Sequence, residues 1–261
     1  MAVKNKRKAN NTRKKLGFMS SKIKFVIRSI FIFIFAVLVG IVLSCTIFFK
    51  IEKIEFGYSS RYGEEELREN SGININDNIF LLDEKEVSKK MQKKLPYIDE
   101  VEIIKKIPSE VLVNVKDSKI DGYVYDNGCY FGINYKGKVL ERFENKTEKA
   151  FVIDNINFKE LEIGEVLRCQ DENQEKILLL LLKILNDQDF KNISEINLFN
   201  LSDINLIYED RIKIELGVCE NLNYKIRTAK EVVKNRLQQN EKGILDLSTV
   251  DNDNKSYFKA Y

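Results

Sequence analysis

From Ser29 to Phe49 the chain runs 21 residues without a charge, SIFIFIFAVLVGIVLSCTIFF. At about 1.5 Å of rise per residue, a helix of that length spans a hydrocarbon core of roughly 30 Å. No polar stripe interrupts it, so it does not read as the amphipathic helix of a soluble core. Immediately before it stand Lys4, Lys6, Arg7, Lys8, Arg13, Lys14, Lys15, Lys22, Lys24 and Arg28, ten basic residues with no acid among residues 1–28. An excess of Lys and Arg stays on the cytoplasmic side, which predicts a cytoplasmic N-terminus and an extracytoplasmic C-terminus. The overall charge of +3 therefore averages a basic tail against an acidic remainder of 33 Lys/Arg and 40 Asp/Glu.

Other readings of this region fit less well. A cleaved signal peptide has a shorter apolar core and a small-residue exit site, whereas Cys45-Thr46-Ile47-Phe48-Phe49 continues apolar. Val42-Leu43-Ser44-Cys45 has the outline of a lipoprotein cleavage box, but Leu43 departs from its usual pattern. The tail has no aromatic platform for nucleic acid beyond Phe18. Contact with anionic headgroups, or a topology signal alone, accounts for its charge, and no nucleic acid is expected.

Composition narrows the chemistry. The 261 residues contain no His, which removes Ser-His-Asp triads, Cys-His pairs and His-ligated zinc. Outside the apolar run lie Cys129, Cys169 and Cys219, at spacings that give neither a CxxC pattern nor a disulfide framework. They admit one bridge, with three buried free thiols as the default expectation. Gly132-Ile-Asn-Tyr-Lys-Gly137-Lys138 matches the start of a phosphate loop, but Val139 stands where Ser or Thr would hold Mg²⁺, and the following residues read as a strand. A hairpin turn is the expectation. Glu64-Glu65-Glu66 and the other carboxylates sit among lysines on periodic helices and read as solvated faces. No catalytic residue, no metal ligand, no cofactor and no small-molecule substrate is expected.

The remaining chain divides by texture. Residues 51–56 alternate apolar and polar as a strand does, within two residues of the end of the apolar run. A short helix ends at Gly72, and a second follows the N-cap Asp83, buries Val87, Met91 and Leu95, and stops before Pro96. Strands through Ile98, Val101 and Ile103 and through Val111, Val113 and Val115 flank the turn at Pro108. The order is β-α-α-β-β. Beyond residue 119 the pattern predicts strands at 123–126, 129–133, 138–142, 193–198, 205–208, 213–216 and 244–249. Asn127-Gly128 and Glu209-Asp210 mark hairpins. Two helices are predicted, at 174–186 and 224–239, the second burying Ile226, Ala229, Val233 and Leu237.

This organisation resembles the FtsQ/DivIB family of bacterial cell-division proteins. The carriers are Ile54-Glu55-Phe56, Asn70-Ser71-Gly72-Ile73, Asn78-Ile79-Phe80-Leu81-Leu82-Asp83, Leu95-Pro96-Tyr97-Ile98 and Ile107-Pro108-Ser109-Glu110-Val111. Near the C-terminus they are Leu216-Gly217, Leu222-Asn223-Tyr224-Lys225-Ile226 and Gly243-Ile244-Leu245-Asp246-Leu247. The resemblance implies an α+β chain of four parts. These are a basic cytoplasmic tail (1–28), a transmembrane helix (29–49), a small POTRA domain (50–118) and a mixed-sheet β domain with two helices (119–261). It implies a non-enzymatic divisome component in the cell membrane at the septum. Its partners would be FtsB/DivIC-like and FtsL-like single-pass proteins, and the complex would help control septal peptidoglycan synthesis. It further implies partner capture by strand addition at the C-terminal edge of the sheet, here Ile244, Leu245, Asp246, Leu247, Ser248 and Thr249, with Tyr257 and Phe258 as an extension. The same strand could instead merely complete the fold. Two other classes compete: a tethered cell-wall hydrolase, weakened by the lack of His, and a POTRA-type secretion or assembly factor, which would need a β-barrel that 143 residues with two helices cannot supply.

Overall fold

The computed structural model describes residues 23–41, 48–146, 150–250 and 255–261. Most of the basic tail and Cys45 with its cleavage-box neighbours lie outside the described residues. Helix α1, Ile23–Ile41, is 19 residues long, apolar and unburied, a helix long enough to cross a membrane and consistent with a single-pass anchor. The described part of the helix includes Lys24 and Arg28 ahead of Ser29, whose long stems can carry their charges out to an interface without breaking the helix.

Three strands, two helices and their loops follow. They are β1 (Lys53–Phe56), α2 (Glu64–Ser71), α3 (Glu84–Lys94), β2 (Ile98–Lys106) and β3 (Glu110–Asp117), in the predicted β-α-α-β-β order. The sheet order is β1-β3-β2. Gly72 closes α2 at φ 72°, the left-handed conformation that a helix end favours in glycine. Asp83 caps α3 by accepting from the N–H groups of Lys85 and Glu86. Val87, Met91 and Leu95 are buried as their spacing predicts.

The rest forms one nine-stranded mixed sheet, order β12-β11-β10-β9-β8-β7-β4-β5-β6. Its strands are β4 (Gly122–Asp126), β5 (Cys129–Ile133), β6 (Val139–Phe143), β7 (Phe151–Asp154), β8 (Ile193–Asn197), β9 (Ile204–Tyr208), β10 (Ile212–Gly217), β11 (Gly243–Asp246) and β12 (Tyr257–Ala260). Asn127-Gly128, both at positive φ, form the two-residue loop between the paired Asp126 and Cys129, the geometry that matches strand twist; Glu209 and Asp210, also at positive φ, lie in a three-residue loop between the paired Tyr208 and Ile212. In β9 and β10 alternate residues are buried, and Leu206 pairs Ile214 while Tyr208 pairs Ile212, as the hairpin reading predicts. Helices α4 (Glu172–Asp187) and α5 (Leu222–Asn235) contribute Leu178, Leu181, Leu182, Ile226, Ala229 and Val233 to the same core.

Two strands escape the sequence reading. β7 joins the halves of the sheet, parallel to β4 on one side and to β8 on the other. It is four residues long and follows a charged stretch, so it shows too little alternation to stand out. β12 is equally short. The thiols also differ from expectation: Cys169 is buried, but Cys129 is half-buried and Cys219 is exposed, and all three are free.

Contacts gather the chain into two compact units. One holds the N-terminal stretch through Glu55 with Ile73–Leu82 and Ile104–Leu112. The other holds Phe56–Gly72, Asp83–Ile103 and Val113–Tyr261. Within the second unit, Tyr97 shares a buried cluster with Ile120, Tyr123 and Leu140, and its hydroxyl donates to Glu141 Oε2 at 2.6 Å. Lys93 pairs Glu165 at 2.6 Å, and Lys136 pairs Asp99 at 3.0 Å.

Lys138 lies in the same contact, 8% exposed, with Nζ donating to the Ile98 carbonyl at 2.9 Å. Burial lowers its pKa from the ordinary 10.5 to about 8, against the opposing pull of Asp99. Between about pH 8 and pH 10.5 the unfolded chain thus holds a proton at this position that the folded chain has lost, and stability rises with pH across that window. Unfolding at about pH 7.5 and about pH 9.5 should show this rise in the wild type and a flatter response in Lys138→Met.

Candidate partner-binding edge

The two ends of the nine-stranded sheet differ. At the β6 end, segment 164–166 covers the start of the outer strand: Val139 N–H donates to Glu165 O at 2.9 Å and Gly164 N–H to Val139 O at 2.8 Å. This also settles the glycine-rich stretch 132–138. Val139 opens β6 as the antiparallel partner of β5, so no helix N-terminus follows Gly137-Lys138, and the Lys138 ammonium is tied to a backbone carbonyl.

At the other end the outermost described strand is β12. It pairs antiparallel with β11 through Gly243–Ala260, Ile244–Lys259, Leu245–Phe258 and Asp246–Tyr257. The expected edge therefore moves outward by one strand. Ile244, Leu245 and Asp246 lie inside the sheet, parallel to β10 on one flank and against β12 on the other. Leu247 is fully buried, and its N–H donates to Glu215 O at 2.8 Å. The strand stops at Asp246, not at Thr249, because the Asp246 carboxylate accepts from the N–H and hydroxyl of Ser248 and turns the chain. Ser248 is half-buried and Thr249 exposed, both past the strand.

On β12, Tyr257 is 52% exposed, and Phe258 packs its ring against the core opposite Leu245. Tyr261 N–H donates to Lys242 O at 3.0 Å. Hydrogen bonding alternates along an antiparallel pair, so Tyr261 and Lys259 turn their backbone groups toward β11. Phe258 and Ala260 turn theirs outward. Lys259, Ala260 and Tyr261 were not singled out by the sequence reading. Their signal is the aromatic enrichment of Tyr257-Phe258-Lys259-Ala260-Tyr261, too brief to rank as a strand on its own.

Three residues hold this edge in place. Gly243 lets β12 approach: a Cβ there would stand 2.3 Å from Lys259 O and 2.9 Å from the Phe258 ring. Gly243→Ala is expected to loosen β12 without dissolving the core, read as faster amide exchange at 257–260 with protection retained in β9 and β10. Gly217, at φ 65°, passes Ser248 so closely that a Cβ would meet the Ser248 Cβ at 2.9 Å. Lys225 on α5 is fully buried, with Nζ donating to Leu216 O at 2.9 Å and Val218 O at 3.1 Å, which ties the helix to the end of β10. Sequence reading placed Lys225 in a family-like motif but not in the core, since lysine is rarely buried.

The fold, an apolar N-terminal helix long enough to cross a membrane followed by a β-α-α-β-β unit and a mixed sheet, defines an α+β protein with a helix that fits a single-pass membrane anchor. The FtsQ-type POTRA domain family matches residues 49–117. Relatives named cell division protein DivIB align along most of the chain. The one from Clostridium botulinum strain Hall is 32% identical over 225 residues, 84% of this chain and 86% of that protein. The one from Clostridium tetani strain Massachusetts is 25% identical over 205 residues, 77% of each. The chain belongs to the FtsQ/DivIB family of bacterial cell-division proteins. Its role lies in cell division.

Proposed function

We propose that the chain is a non-enzymatic scaffold of the division machinery, held by one membrane span with its N-terminus in the cytoplasm and residues 50–261 outside. The basic residues before Ser29 support that orientation. The proposed parts are the tail (1–28), the span (29–49), a POTRA domain (50–118) and a β domain (119–261). The β domain captures FtsB/DivIC-like and FtsL-like single-pass proteins at the septum, and the assembly helps control septal peptidoglycan synthesis.

The observation that carries this reading is the outer flank of β12, which pairs with no other strand among the described residues and toward which Phe258 and Ala260 turn their backbone donors and acceptors. An unpaired strand edge is a template for an added strand. Ile244, Leu245, Asp246 and Leu247 then act from behind, as the floor on which β12 rests. Depletion of the protein should give long undivided cells, and protease added to spheroplasts should digest residues 50–261. Normal septation after depletion would refute the division scaffold, and a protected C-terminal body would refute the orientation.

A further inference from the structure

The end of the apolar run is pinned to a turn that carries exposed apolar side chains. Ile79 N–H donates to Phe49 O at 2.9 Å, Lys50 bridges Asn78, and the Phe49 and Phe80 rings meet edge to face with centroids 4.8 Å apart. The turn itself is tied down. Phe80 N–H donates to the Asn78 side chain at 2.9 Å and Leu81 N–H to the Asn78 carbonyl at 3.0 Å. Its tip thus displays Phe80 at 52% and Leu81 at 81% exposure. The turn at Ile107 comes to the same place: Glu52 N–H donates to Ser109 O at 2.8 Å, and Lys105 Nζ reaches Leu82 O at 2.8 Å. Ile107 is 60% exposed there and Phe48 is 71% exposed. Lys50 and Lys106 stand exposed beside them.

We propose that Phe80 and Leu81, with Ile107, insert into the headgroup region of the bilayer that holds the anchor, and that Lys50 and Lys106 face its anionic lipids. The proposal rests on residues 29–49 spanning a membrane and does not depend on which side the body occupies. Position commits the occupant. A ring in van der Waals contact with Phe49 sits at the depth where the uncharged run ends and Lys50 begins, which is the interface. Two adjacent large apolar side chains displayed on a fixed turn are costly in water and favourable at that depth. Aromatic rings with flanking cations are the usual furniture of such a boundary.

The chain has no Trp, so a single introduced indole reports one place. Full-length Leu81→Trp and Phe48→Trp would each be reconstituted alone into liposomes of phosphatidylethanolamine and phosphatidylglycerol. A fraction of the lipid would carry a nitroxide near the headgroup end of its acyl chains. Both indoles are expected to lose emission to the nitroxide lipid, to emit at shorter wavelength than free Trp, and to resist acrylamide. If Phe48→Trp is quenched by lipid while Leu81→Trp is not and stays open to acrylamide, the turn is free in water or reserved for a protein, and the lipid contact is overturned. If neither is quenched by lipid, the membrane span itself fails, and the proposal falls with it.

Discussion

Ala260→Pro is expected to weaken capture of a partner strand roughly tenfold or more while the free energy of unfolding stays within about 0.5 kcal/mol of wild type. Ala260 lies opposite Gly243, and its N–H points away from β11 because the neighbouring Tyr261 N–H is the one that bonds inward, to Lys242 O. Proline at that position therefore removes an outward donor and leaves the internal ladder intact, the circumstance in which edge strands tolerate it. An incoming strand loses one backbone hydrogen bond, net about 1 kcal/mol, and meets the pyrrolidine ring where its own backbone must lie. A drop of roughly tenfold or more in affinity follows, since each tenfold corresponds to about 1.4 kcal/mol. Leu247→Pro is the instructive contrast. The Leu247 N–H is bonded to Glu215 O and its side chain is fully buried, so proline there should cost about 3 kcal/mol or more and damage the fold itself. Equal loss of stability in the two variants, read by urea unfolding, would contradict the strand order on which the reading depends.

Lys225→Met should destabilise the protein by about 3 kcal/mol. Methionine keeps most of the apolar stem, so the change isolates the ammonium, which donates to the Leu216 and Val218 carbonyls in a site closed to water. Replacing a buried charge with an apolar group can be neutral when its partner is also replaced. Here the partners are backbone carbonyls that no substitution removes, and the buried Leu216 acceptor deprived of its donor costs about 1–3 kcal/mol, with a smaller share from the part-buried Val218 carbonyl. The loss falls where β10 ends in a bulge between Glu215 and Gly217, next to the parallel pairing with β11. Amide exchange should accordingly quicken in α5, β11 and β12 before β4 and β5. An unchanged midpoint would mean that the lysine is tolerated there and does not tie α5 to the sheet.

Much of this was legible in the chain because local chemistry decides it. Asn127-Gly128 and Glu209-Asp210 specify tight hairpins by their tolerance of positive φ, and Asp83 specifies a helix start by its carboxylate. The apolar spacing of α5 specifies which face is buried, whereas the unbroken apolar run of α4 specifies a buried helix but not its face. What local chemistry does not decide is lateral order. β11 follows β10 through the crossover helix α5 and lands parallel beside it. Whether anything lies outside β11 depends on five residues after a polar stretch, and these return antiparallel to form the true edge. The same limit hid β7, whose four residues gain meaning from β4 and β8, each far away in sequence. The burial of Lys225 and Lys138 is not legible in the sequence, because it is set by carbonyls that only the folded chain brings near. Cys219 was expected inside and lies outside, since a lone cysteine carries no periodic signal.

The most direct test places a photo-activated crosslinking residue at Lys259, on the outer strand, and at Leu180, an exposed position on α4, in dividing cells. Strand addition at β12 predicts that the Lys259 position traps another single-pass division protein, that the Leu180 position does not, and that Ala260→Pro reduces the product. Trapping from Leu180 with nothing from Lys259 would mean that partners reach this protein by a helical face and that the sheet edge is idle.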